Sequence, residues 1–181
     1  MLGLGLSLAK PYRLSKPFNV LDINSLVIYN EYQTWTYSSG SEVNAWPNHS
    51  SLSSNYNLSQ SNKTFFPVEE SGKLNFNNQS INGQLNYATQ IDVTDFTLIM
   101  SINLNEAVSL TNEGLIGRGL NDLEVGDLTS NPQYDLRINQ IGSGELSNVK
   151  YDGFINEVYL FNEVISAEER ENVINFALNK L

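Results

Sequence analysis

Within residues 96–104, Phe96, Leu98, Met100, Ile102 and Leu104 fall on one face of an extended chain. A period of two is the spacing of a half-buried strand, and a helix cannot keep those five side chains together. Other short β runs stand at 25–29, 64–68, 73–76, 84–88, 115–118, 134–139 and 154–161, separated by Asn, Ser and Gly, and Leu74 with Phe76 and Leu136 with Ile138 repeat the alternation on a smaller scale. Short strands with turn residues between them predict an all-β chain, folded as an antiparallel sandwich or barrel.

Length sets the scale of that fold. At 181 residues one domain is expected, and a chain of this size buries roughly 70% of its unfolded surface, so a core closes without disulfide or metal. The composition is globular but polar, with 40% hydrophobic and only 17% charged residues. Ten Lys and Arg against twenty Asp and Glu leave a net charge of -10, so the chain has no basic face for nucleic acid or an anionic membrane surface. It contains no cysteine, which excludes thiolate catalysis and Cys-ligated metals, and its one histidine, His49, excludes a multi-His metal site. No stretch approaches the ~20 apolar residues of a membrane span, so no membrane insertion is expected.

Two ends depart from the strand pattern. In 1–18, Leu2, Leu4, Leu6 and Leu8 alternate with Gly3, Gly5 and Ser7, and Lys-Pro pairs follow at 10–11 and 16–17. This reads as an extended N-terminal arm, used either for assembly on a neighbouring subunit or as a first strand, ahead of a domain spanning 19–181. With no basic residue before the apolar run it is not expected to be a signal peptide. At the other end, Ser166-Ala167-Glu168-Glu169 has the form of a capping box, and Val173, Ile174, Ala177 and Leu181 form an apolar stripe that Phe176 and Leu178 widen. A C-terminal helix over 166–180 is expected, with Lys180 at the end its dipole favours. The stretches 38–62 and 121–132, rich in Asn and Ser or in acids, read as long loops.

The segment 151–170, with Gly153, Ile155, Glu157, Val158, Tyr159 and Phe161 ahead of Ser166-Ala167-Glu168-Glu169, resembles the closing motif of the laminin-G-like, or concanavalin A-like, jelly-roll superfamily. Upstream, 43–48 around Trp46 resembles the family's first tryptophan turn, 72–78 its glycine, apolar, Phe strand, and 95–103 its long central strand. The resemblance spans about residues 20 to 180 and implies an antiparallel two-sheet jelly-roll sandwich. Asn156 stands where the family commonly has Asp, and Asn77-Asn78 where it has Asp-Gly, which argues against a calcium site of the family type.

Enzymes on such a fold are mostly glycosidases, which set two carboxylates across the scissile bond. No acid-x-acid-x-acid strand run occurs, so no catalytic residue and no enzymatic activity are expected. Asp122, Glu124 and Asp127 are the nearest approach. They read either as solvated loop acids or as oxygen ligands for a hard cation such as calcium; otherwise no cofactor is expected. Trp35, Tyr37, Trp46, His49 and Tyr56 form the candidate ligand-binding set, because sugar sites stack rings on aromatic faces. The competing reading makes Trp35 and Trp46 core or turn anchors and His49 a loop hydrogen-bonder.

The open Met-Leu-Gly-Leu-Gly-Leu start resembles the beginnings of bacteriophage virion proteins that carry this type of domain. That resemblance implies a virion location and a non-enzymatic structural protein: head decoration, head fibre or tail-associated. Its partners would be other virion proteins or further copies of the chain, with host polysaccharide as a further contact. A carbohydrate-binding module is the alternative, and a glycoside hydrolase the third reading.

Overall fold

A computed structural model describes residues 17–51, 56–78, 81–104, 114–117, 123–124, 136–142, 151 and 153–180. The arm leucines Leu2, Leu4, Leu6 and Leu8, together with Asp122 and Asp127, lie outside the described residues.

The described residues form a mostly antiparallel β protein with one C-terminal helix. In chain order the strands are β1 (Leu26–Asn30), β2 (Thr36–Ser39), β3 (Glu42–Trp46), β4 (Leu58–Ser59), β5 (Val68–Glu70), β6 (Lys73–Asn75), β7 (Asn77–Asn78), β8 (Ile81–Asn82), β9 (Leu85–Val93), β10 (Thr97–Leu104), β11 (Gly114–Gly117), β12 (Leu123–Glu124), β13 (Leu136–Ile141) and β14 (Gly153–Phe161); the helix α1 is Ala167–Leu178. One curled sheet runs in the order β1-β14-β6-β5-β3-β4-β9-β13-β11-β12, with β10 added on β14 and β2 on β3. Strands β7 and β8 make a separate pair.

The predicted strands at 25–29, 73–76, 84–88, 96–104, 115–118, 134–139 and 154–161 fall on strands where they are described, residues 118, 134 and 135 lying outside the described residues. The one predicted over 64–68 does not. Asn62 Oδ1 accepts from the Thr64 amide at 3.1 Å and caps a 3-10 turn at Lys63–Phe65, so extended pairing begins only at Val68, beyond Pro67. The stretch 38–62, expected as loop, instead carries β3 and β4. In β3 the buried positions are Val43 and Trp46, three apart, so no period of two marks the strand; pairing with β2, β4 and β5 makes it. Between β5 and β6, Ser71 and Gly72 both take positive φ (54° and 80°), the two-residue turn that matches the twist of a hairpin.

Two hydrophobic clusters share the sheet. The larger fills the inside of the curl: Trp46, Leu58, Leu74, Phe76, Leu85, Ile138, Ile155 and Leu160 are fully buried there, and Phe96, Leu98, Met100 and Ile102 pack against it from β10. The smaller lies on the opposite face of β1 and β14, beneath α1, and joins Val20, Leu26, Tyr29, Tyr159, Phe161, Ile165, Val173 and Ala177. The α1 cap is as expected: the Glu169 amide donates to Ser166 Oγ at 3.2 Å and the Ser166 amide to Glu169 Oε2 at 2.9 Å. Its stripe is corrected in one respect. Ile174 is 41% exposed and Leu178 more so, while Phe176 packs inward with Val173 and Ala177. At 100° per residue Ile174 is turned away from the face that 173, 176, 177 and 180 share.

Candidate functional site

Two strand irregularities place charged groups under the helix. Opposite β10, Ser101 pairs with Glu157 and Ile102 with Ile155, so Asn156 is an extra residue in β14. Ile155, Val158 and Leu160 therefore face the main core, and Tyr159 and Phe161 the helix. Likewise Leu26 pairs with Phe161 and Ile28 with Leu160, which leaves Val27 extra in β1 and turns Tyr29 outward beside Tyr159. Gly153, which opens β14, sits so close to β10 that a Cβ would lie 2.2 Å from the Asn103 carbonyl.

The outcome is a compact polar cluster. Lys180, just past the α1 C-cap Asn179, places Nζ 2.6 Å from Glu31 Oε1 and 3.5 Å from Glu157 Oε1, and donates to the Tyr29 hydroxyl. The same ammonium lies 4.1 Å from the centroid of Phe176 and 4.9 Å from that of Tyr29, a cation-π arrangement. Glu157 is fully buried; its Oε2 accepts from the Tyr159 hydroxyl at 2.8 Å and its Oε1 from the Tyr32 amide at 3.4 Å. Tyr29 and Tyr159 stack at 5.0 Å, and the His49 ring stands edge-on to Tyr29 at 5.9 Å.

The environments of the two carboxylates pull apart. Burial pushes the Glu157 carboxyl up, only partly offset by Tyr159, Lys180 and the Tyr32 amide. Burial also acts upward on Glu31, but hydrogen bonds from Lys180 and Tyr29 and the charges of Lys180 and His49 outweigh it and hold Glu31 below the ordinary range. Burial, then the neighbouring carboxylates, push the phenols of Tyr29 and Tyr159 far up, so both stay protonated and Tyr159 remains a donor. Chemically the arrangement grips one cation with two acids and two aromatic faces.

The aromatic candidates sit elsewhere. Trp46 is fully buried with its indole N–H donating to the Glu31 carbonyl at 2.8 Å; Trp35 is buried edge-on to it at 5.7 Å, and donates to the Tyr37 hydroxyl at 3.1 Å. Both rings belong to the main core. Tyr37 is half-exposed on β2, whose four residues are all exposed, and Tyr56 is partly buried against the core. His49 alone of the set reaches the polar cluster, where its amide also donates to the Tyr29 carbonyl at 2.8 Å. The backbone of Glu124 lies in β12. Among the described residues no three His, Cys, Asp or Glu side chains gather as a metal would require, and no helix is long and apolar enough to cross a membrane.

A second polar network is centred on the buried Asn30. Asn30 donates to the carbonyls of Trp46 (3.3 Å) and Pro47 (2.9 Å) and accepts from Tyr87 at 3.1 Å; Asn48 Oδ1 accepts from the Tyr29 amide at 2.8 Å. It pins the β1 end to the turn after β3, and so fixes the backbone that carries Tyr29 and Glu31.

No protein-family model, curated protein or solved structure matches the chain. Of the cluster, Glu157 stood in the closing motif and Lys180 at the helix end, but their meeting with Tyr29 and Glu31 spans about 150 residues of sequence. An acid inside a mostly apolar strand is the available signal.

Proposed function

We propose that this chain is a non-enzymatic structural domain of a virus particle of the bacteriophage type, its curled sheet closing as a two-sheet jelly roll of the concanavalin A-like kind. The observation that carries the non-enzymatic part is the use made of Glu31 and Glu157. Paired carboxylates in a glycosidase face a substrate across open space; these face Lys180 and Tyr159 beneath α1, and act as fasteners of the helix. The virion assignment rests on the resemblance of the opening residues and of the 151–170 segment, and it draws its fold from the latter.

The assignment predicts co-purification with particles through a density gradient, in stoichiometric amount by mass spectrometry, and no turnover of β-glucans or bacterial polysaccharides. A soluble fraction alone, or hydrolysis abolished by Glu157→Gln, contradicts it. A carbohydrate-binding module is the second reading, favoured by the half-exposed Tyr37 ring on the exposed strand β2. It predicts polysaccharide binding that Tyr37→Ala removes while the fold stays intact.

A further inference from the structure

We propose that the C-terminal end of α1 is a proton-operated latch, in which Lys180 clamps the helix to the outer sheet face through Glu31 and Glu157 and lets go when the charge on that pair is mismatched. The geometry is that of a single cation serving two acids of unequal exposure. Glu31 is partly open to solvent at 2.6 Å from Nζ, whereas Glu157 is fully buried at 3.5 Å. What the latch covers is aromatic: Tyr29, Tyr159 and Phe161 lie under Val173, Phe176 and Ala177.

The titratable groups facing Glu157 come from every element around it. Strand β1 and the residues after it supply Tyr29, Glu31 and Tyr32; β14 supplies Tyr159; the segment beyond α1 supplies Lys180. His49 stands behind Tyr29, and β10 brings no ionisable side chain.

The two acids then act in opposite directions. Glu31 is held below its ordinary value of 4.5 when docked, so its contribution is full above 4.5 and is lost as pH falls through the docked value. Glu157 is raised above 4.5 when docked, so its contribution is full below 4.5 and is lost as pH rises through the raised value. Docking is tightest near the ordinary carboxylate range and loosens both toward neutral pH and toward strong acid. Mildly acid surroundings set the latch.

The native chain has no cysteine, so Ala177→Cys makes a unique reporter of undocking when labelled with an acid-competent disulfide reagent. Its protection, normalised to the exposed Leu178→Cys, is expected to peak in mild acid and to fall on each limb by up to about tenfold per pH unit, the slope of one proton. Glu157→Gln should flatten the neutral limb alone, and Glu31→Gln the acid limb alone. Amide exchange at Val173 in α1 of the unsubstituted chain, corrected for its intrinsic pH dependence, should follow the same profile while Tyr87 in the main core does not. Protection that is flat between pH 3.5 and 8, or a change shared equally by Val173 and Tyr87, overturns the latch.

Discussion

The two faces of β14 are made from the same nine residues, yet they are held by different forces. On the inner face Ile155, Val158 and Leu160 meet Trp46, Leu74, Phe76 and Ile138, an apolar interior. On the outer face Tyr159 and Phe161 stand beside the buried Glu157, whose carboxyl lies 3.5 Å from the Lys180 ammonium. Area burial is non-directional and tolerates small displacements, so the inner face specifies compaction. A buried acid with one cation in reach specifies a single position of the helix, because leaving that acid without its partner costs more than the pair itself gains. In a regular strand Ile155 and Glu157, two apart, would stand on one side; the bulge at Asn156 puts them on opposite faces.

Substitutions on the two faces should therefore differ in kind. The largest effect is expected from Trp46→Ala, which empties the inner core at its biggest fully buried ring and removes the indole bond to Glu31; about 3–5 kcal/mol of stability should be lost in urea unfolding. Lys180→Met should cost less, about 1–3 kcal/mol, since Lys180 and Glu31 keep some solvent and only Glu157 is fully buried. That variant should also raise amide exchange in α1 and leave β9 and β13 protected. Next comes Ser166→Ala, about 1 kcal/mol through the lost cap, read from the same urea midpoint. Ile174→Ala should be smallest, within about 0.5 kcal/mol, as its side chain is largely in water. A loss from Ile174→Ala equal to that from Lys180→Met would erase the distinction between the faces.

How far the sequence revealed this depended on whether the information was local. Residues 96–104 alternate over nine positions and the strand is there; Ser166 and Glu169 are three apart and the capping box is there. Strand β3 was hidden because Val43 and Trp46 do not alternate, and it exists through its three neighbours. Ile174 was placed inward by counting apolar residues, whereas helix rotation selects Phe176. The polar cluster was least legible. It joins positions 29, 31, 157, 159 and 180, and no spacing rule links a strand near one end of the chain to a lysine at the other. Its visible tokens are Glu157, an acid between Asn156 and Val158 in a largely buried strand, and Lys180 at the helix end.

The most direct test of the account is the coupling between the helix end and the sheet. In a double-mutant cycle of Lys180→Met and Glu31→Gln at neutral pH, with stability read by urea unfolding of the full chain, the pair at 2.6 Å should show a favourable interaction of about 1 kcal/mol. Additive losses, with no coupling energy, would contradict the claim that Lys180 holds α1 through the carboxylates beneath it.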